Sequence, residues 1–253
     1  MSSSISTPAA LSSSSTSLAG RCWRVVEAQH QISTMKLTDS LAEQAVLERL
    51  IEDTKPAAPE GTARLDYLLM TPFRYGPSNP WGSRFRRPRS AGVFYGAEHA
   101  ETAIAEMSFH RLLFFAESPK TPWPQNAGEF TAFAVSFHAE RGLDMTLEPY
   151  KSDAAIFHLT SYEASQAFAD EARAAGIEIL RYLSVRDPEH RPNFALLTPS
   201  TFTHPEPVGR QSWRIHLDAH GARAICEMPQ VSLAFTRETF GADIRIKEMA
   251  WER

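Results

Sequence analysis

Beyond residue 21 the apolar positions fall into runs with recognisable periods. Cys22-Trp23-Arg24-Val25-Val26 is a short strand-like run. From Thr38 to Asp53, Leu41, Ala45, Leu47, Leu50 and Ile51 make an apolar stripe at helical spacing, and Ser40 with Glu43 fits a capping box at its start. Lys55 to Pro59 breaks that helix, and Leu65 to Met70 is a short apolar segment ending at Thr71-Pro72. Residues 76–92, rich in Gly, Pro, Ser and Arg, read as an ordered loop, followed by a strand at Val93-Phe94-Tyr95. Glu101 to Phe115 is a helix whose Ala103, Ile104, Met107, Leu112 and Phe115 form an inner face. Phe130 to Phe137 alternates as a strand, with Phe133, Val135 and Phe137 on one side. A further helix spans Ser161 to Arg173, with Gly176 as the residue that ends it. Strands follow at Ile177–Ser184, Asn193–Leu197, Ser212–Leu217, Arg223–Cys226 and Val231–Phe235. Helices and strands mix without regular βαβ alternation, which predicts an α+β fold rather than a doubly wound one.

The 253 residues suit one large domain, and 43% hydrophobic content supports a real core. The Ser-rich start, with nine serines in the first twenty residues, lacks the basic and apolar regions of a secretory signal and reads as a disordered tail over residues 1–21. Residues 22–253 are then a single domain. A net charge of −4 argues against a global nucleic-acid or membrane surface. Two distant cysteines, Cys22 and Cys226, support neither a disulfide framework nor a cysteine zinc site, and point to a reducing, cytoplasmic setting. No apolar run approaches the roughly 18 residues that would span a bilayer.

The chemistry concentrates in residues 73–110. Arg74 and Arg84 offer guanidinium forks that fit phosphate. Tyr75 and Tyr95 offer rings for stacking or hydroxyls for a ribose. Glu106 lies among Ala103, Ile104, Ala105 and Met107, where a carboxylate is costly unless it is paired or functional. His110 is four residues on and shares its helix face. A metal pair is poorly supported, because no His-Glu-x-x-His arrangement accompanies it, and a helix-face Glu–His hydrogen bond with no further role is the competing reading. Two serines compete for a place: Ser165 in the helix and Ser184 at a strand end. Neither sits in a Gly-x-Ser-x-Gly elbow. Asn193 reads as a turn residue. The run Arg84 to Arg89 is the most basic stretch, open to a nucleic-acid reading or to a phosphate-facing or solvated loop.

The order Arg74-Tyr75, Arg84-Phe85, Tyr95, Glu106 and Ser184, with Tyr162-Glu-Ala-Ser-Gln166 between, resembles the RES domain family over roughly residues 23–202. Many members have Gly-Gly-Arg-Trp-Asn where this chain has Gly82-Ser83-Arg84-Phe85-Arg86. The resemblance implies a core similar to that of ADP-ribosyltransferases. It also implies consumption of NAD, by hydrolysis, by phosphorolysis or by ADP-ribosylation of a protein target. It implies that the protein is the toxin of a toxin–antitoxin pair, with a helix-turn-helix (Xre-type) antitoxin as partner and homo-oligomers as a further possibility. Carried onto this chain, Arg74, Tyr95 and Glu106 form the catalytic core, and Tyr75, Arg84, His110 and a serine, Ser165 or Ser184, assist in binding NAD, with no metal. A RES-like domain that serves only as a binding scaffold is the alternative.

Elementary chemistry asks for the same set. Cleaving the nicotinamide–ribose bond releases a neutral ring from a cationic one, so charge builds on the ribose and a carboxylate is its natural stabiliser. An aromatic face suits the cationic ring.

Overall fold

A computed structural model describes residues 7–28, 32–35 and 37–252. The elements in chain order are α1 (Pro8–Ser13), β1 (Thr16–Glu27), α2 (Ile32–Met35), α3 (Leu41–Asp53), α4 (Tyr67–Arg74), β2 (Phe94–Ala97), α5 (Ala100–Glu117), β3 (Gly128–Asp144), α6 (Glu163–Ala174), β4 (Ile179–Leu183), β5 (Pro192–Leu196), β6 (Gly209–Asp218), β7 (Gly221–Cys226), β8 (Val231–Thr236) and α7 (Ile244–Lys247). The fold is α+β.

Eight strands form one mixed sheet in the order β1-β2-β5-β4-β3-β6-β7-β8. β1 pairs with β3 as well as with β2, so the first five strands close into a barrel. Only β3 and β4 run parallel; the other pairs are antiparallel. β3 is the spine. Its first half pairs with β6 and its end with β4, while β1 follows it along the other edge. That position buries both of its faces: Phe133, Val135 and Phe137 enter one apolar cluster and Phe130 and Ala132 another. Strands β4 and β5 divide in the same way. Ile179, Phe194 and Leu196 face the Phe133 cluster, while Leu180, Tyr182 and Ala195 face α6 through Phe168, Ala169 and Ala172. The Glu101–Phe115 helix is α5, extended by a residue or two at each end, and it packs against β1 and the β6–β8 extension. Gly176, with φ of +71°, ends α6 as its composition suggests.

Three expectations are revised. From residue 7 the serine-rich start is not a tail, and residues 1–6 of the expected tail lie outside the described residues. Thr7 caps α1, Leu11 is fully buried against the α6 cluster, and the next residues enter β1 beside β3. One apolar residue in a polar stretch anchors the segment, and the extended backbone of β1 is fixed by pairing rather than by side-chain hydrophobicity. The segment around Leu65–Met70 is part of a helix, α4, that runs through Pro72; Asp66 caps it by accepting from the Leu68 N–H. In α3 the capping serine accepts from Glu43 as expected, but the apolar stripe is not core: Leu41, Leu50 and Ile51 are exposed, and Gln44 is the residue it buries.

Among the described residues no helix is long and apolar enough to cross a membrane.

Leu11→Ala tests the anchored start. Removing a fully buried leucine side chain is expected to cost about 2–3 kcal/mol in urea unfolding; a cost below about 0.5 kcal/mol, the range of a surface change, would mean that the segment does not hold to the fold.

Candidate functional site

Glu106 sits mid-way along α5 and points across to the β4–β5 connection. Its Oε1 accepts from Ser184 Oγ at 2.6 Å and from Asn193 Nδ2 at 2.7 Å. Ser184 follows β4 directly, and its Oγ in turn accepts from the N–H groups of Arg186 (3.1 Å) and Asp187 (2.9 Å). Two backbone N–H groups therefore aim the hydroxyl hydrogen at the carboxylate. Asp187 carries the tie further: it accepts from Thr102 Oγ1 on α5 and from Arg191. Asn193 is the second residue of β5, opposite Ala97 of β2 and Tyr182 of β4. It lies in the strand predicted at Asn193–Leu197, and its side chain faces the cavity rather than shaping a turn. No described residue bonds Glu106 Oε2.

This carboxylate lines a cavity of about 360 Å³, within the range of small-molecule sites. Trp23, Arg24 and Val25 of β1 contribute one wall, Tyr95 to Ala97 of β2 the next, and Ala103, Glu106, Met107 and His110 of α5 a third. Gly82 to Arg84, Tyr162, Tyr182, Val185, Arg186 and Asn193 complete it.

Tyr95 orders the loop before β2. Its hydroxyl bonds Ser83 Oγ at 2.8 Å and accepts from the Phe85 N–H at 3.0 Å. Burial pushes this phenol up from its ordinary value, partly offset by those two hydrogen bonds, so it stays protonated. Gln166 of α6 braces the same loop by donating to the Ser83 and Arg86 carbonyls. Arg84 is buried. Its Nη1 donates to the Ile156 and His158 carbonyls, and its guanidinium lies 5.1 Å from the Tyr162 ring centroid.

Arg24, which the sequence reading passes over, is the cation with the fewest commitments. Its Nη1 donates to the Tyr95 carbonyl at 3.0 Å and it lies over the Phe94 ring. No carboxylate among the described residues pairs with it. Burial presses its guanidinium below its ordinary value. The available signal was a charged residue inside the apolar strand run Cys22–Val26.

Several expected residues lie elsewhere. Arg74 does not line the cavity: it is buried at the end of α4, where Nε donates to the Pro56 carbonyl and Nη1 to Glu52 Oε1, each at 2.5 Å. Its fork is spent on tying α4 to the end of α3. Tyr75 is the C-cap of α4 and is likewise outside the cavity. Of the two serines, Ser184 meets Glu106; Ser165 is buried in α6 and donates to the Tyr162 carbonyl. The basic run is dispersed. Arg84 and Arg86 are buried, Arg86 donating to the Gly76, Trp81 and Arg87 carbonyls, and Arg87 pairs with Asp170. The run therefore does not form a continuous basic surface. Among the described residues no group of three or more His, Cys, Asp or Glu gathers as a metal site.

His110 shares the cavity with Glu106. His110 is exposed to solvent on one side; desolvation by the atoms packed around its other side pulls the imidazole below the ordinary value, Glu106 opposes this, and Arg186, Arg245 and Arg84 add to it. A histidine held neutral in the fold makes the unfolded chain the better proton acceptor below about pH 6.5. Stability from this residue is thus intact above that pH and declines as pH falls toward the lower folded value, by a small amount because the ring is solvent-exposed and its charge is screened. His110→Gln is expected to flatten this acid limb in urea titrations between about pH 7.5 and 5.5, a window that brackets the ordinary histidine value. Parallel pH slopes for the two proteins would refute it.

The match to a known family agrees with the resemblance. No curated protein matches the chain in sequence. Among solved structures, a chain of the M. tuberculosis MbcT–MbcA toxin–antitoxin complex is similar at 11% identity and a TM-score of 0.46, covering 79% of this chain and 90% of that one. The RES domain family matches residues 58–218, more than half of the sequence. The chain belongs to the RES domain family.

Proposed function

We propose that the protein is an NAD-consuming enzyme that cleaves the nicotinamide–ribose bond and passes the ADP-ribosyl group to water or phosphate. The observation that carries this reading is Glu106: a carboxylate with one oxygen fixed by Ser184 and Asn193 and the other unclaimed, inside a cavity. Such a group is preorganised to meet positive charge developing on a ribose, at no reorganisation cost in the transition state. The departing nicotinamide is neutral, so the reaction asks for no general acid, and a Tyr95 that stays protonated is compatible with a role in stacking or ribose contact. Arg24 supplies the cation for the pyrophosphate, since a phosphate oxygen would offset the burial of its charge. Arg84, already holding two carbonyls, contributes mainly field and shape. Tyr162 and Tyr182 add aromatic wall beside the carboxylate.

Transfer to a protein side chain is the alternative acceptor chemistry at the same site. Membership of the RES family supports a toxin role in a toxin–antitoxin pair, acting in the cytoplasm and neutralised by a helix-turn-helix antitoxin that covers the cavity mouth.

The test is NAD loss with the purified full chain, products resolved with and without phosphate. Glu106→Gln is expected to lower kcat by about 10²–10³, the scale of removing one preorganised charge, with NAD binding retained. Arg24→Ala is expected to raise KM by about tenfold or more, since it removes a binding contact rather than the reacting group. NAD untouched by the wild type, or turnover by Glu106→Gln near that of wild type, would overturn the proposal. Label transferred to protein would assign the acceptor to a side chain instead.

A further inference from the structure

The family match ends at residue 218, yet the chain continues through β7, β8 and α7. That continuation packs against a residue of the cavity wall. Arg186, which lines the cavity, places Nη1 2.9 Å from Asp243 Oδ2, with side-chain exposures of 5% and 0%. The same guanidinium donates to the Leu159 carbonyl and lies 3.8 Å from the Phe109 ring centroid. Phe109 is three residues beyond Glu106 on α5 and packs edge-on against Phe240, which stacks on Phe235 of β8. Asp243 itself has little freedom. It caps α7 by accepting from the Arg245 N–H, and the Arg245 side chain holds both of its oxygens, at 3.0 and 2.7 Å. A buried ion pair of this kind is costly to break from one side, because the remaining charge stays buried.

We infer that Asp243 is a positioning residue for the site: it holds Arg186, and through Arg186 the turn that aims Ser184 at Glu106. The connection is continuous. Asp243 fixes the Arg186 side chain, the Arg186 N–H bonds Ser184 Oγ, and Ser184 Oγ donates to Glu106 Oε1. The segment beyond residue 218 thus supports the cavity wall from behind, with Asp243 on Arg186 and Phe240 on Phe109 as its contacts nearest the site. The consequence for NAD turnover rests on the function proposed above; the consequence for the order of the turn does not.

Two measurements on the full chain separate these. In amide hydrogen exchange of the free protein, Asp243→Asn is expected to speed exchange of residues 184–191 by about tenfold or more while β3 keeps its protection, because loss of the pair opens the turn locally. Arg186→Met cuts the pair from the other side, so it is expected to loosen residues 240–249 as well as 184–191, and it serves should Asp243→Asn not fold. Unchanged exchange in 184–191 overturns the inference, whether or not NAD is consumed. In turnover assays, Asp243→Asn is expected to lower kcat/KM by about tenfold, and the double variant to be no worse than Arg186→Met alone, as for residues acting through one another. Losses that multiply independently in the double variant would also overturn it. A wild type that leaves NAD intact removes the proposed function, and the exchange result then decides this inference alone.

Discussion

A carboxylate placed on an otherwise apolar stretch of helix is the constraint around which this molecule is arranged. Glu106 follows Ala103, Ile104 and Ala105, all buried, and a charge there must be compensated by donors brought from elsewhere. They come from two points of the chain 78 and 87 residues away: Ser184 after β4 and Asn193 in β5. Meeting that demand sets the position of α5 against the barrel and the shape of the 184–191 turn. In this turn the Ser184 N–H bonds the Arg191 carbonyl and Asp187 reaches back to Thr102. The bonds are charge-assisted on one side, which makes them stronger than neutral ones and makes their loss more damaging.

The arginines around the cavity sort by what they are already bound to. Arg186 has Asp243; Arg84 has two carbonyls and an aromatic face; Arg86 has three carbonyls and is not in the cavity at all. Arg24 has a single carbonyl and a ring. A cation satisfied by carbonyls keeps its full charge but has few donors left to give, whereas one with a single bond can present most of its fork to a ligand. Counting arginines in a motif therefore overstates how many can grip a phosphate.

The sequence was legible where periodicity and local chemistry agree. The α5 and α6 helices, the strands of the second half and the Gly176 terminator all follow from short-range pattern, and Glu106 stood out because its neighbours are apolar. It was misleading where a residue's role is decided by distant partners. Arg74 sits between two aromatics before a Gly-Pro loop, as a ligand-binding arginine would, but Glu52 and Pro56 reach it first. Ser165 and Ser184 both looked suitable, and only the fold distinguishes a helix-interior hydroxyl bonded to its own turn from one facing a carboxylate. Asn193 reads, at the edge of a strand, as a shaper of chain direction, and nothing in its neighbours shows that its amide reaches Glu106. Thr16 to Gly20 carry no strand pattern; β3 imposes one by pairing.

Closure of the barrel explains why the first strand matters to a site whose sequence signature lies far downstream. β1 pairs with β3 from Thr16 to Glu27 and touches β2 at Trp23, opposite Ala97. This single crossing puts Arg24 against the Tyr95 carbonyl, and the Tyr95 side chain in turn orders Ser83 and Phe85. The RES family match begins at residue 58, after β1, and ends before β7. The cavity therefore takes its least committed cation from a strand before the matched region, its carboxylate and tyrosines from within it, and its buttress at Asp243 from beyond it. A site assembled this way requires the ends of the chain to fold onto the middle, so its ligand-binding geometry and its global stability are coupled through the same few buried charges.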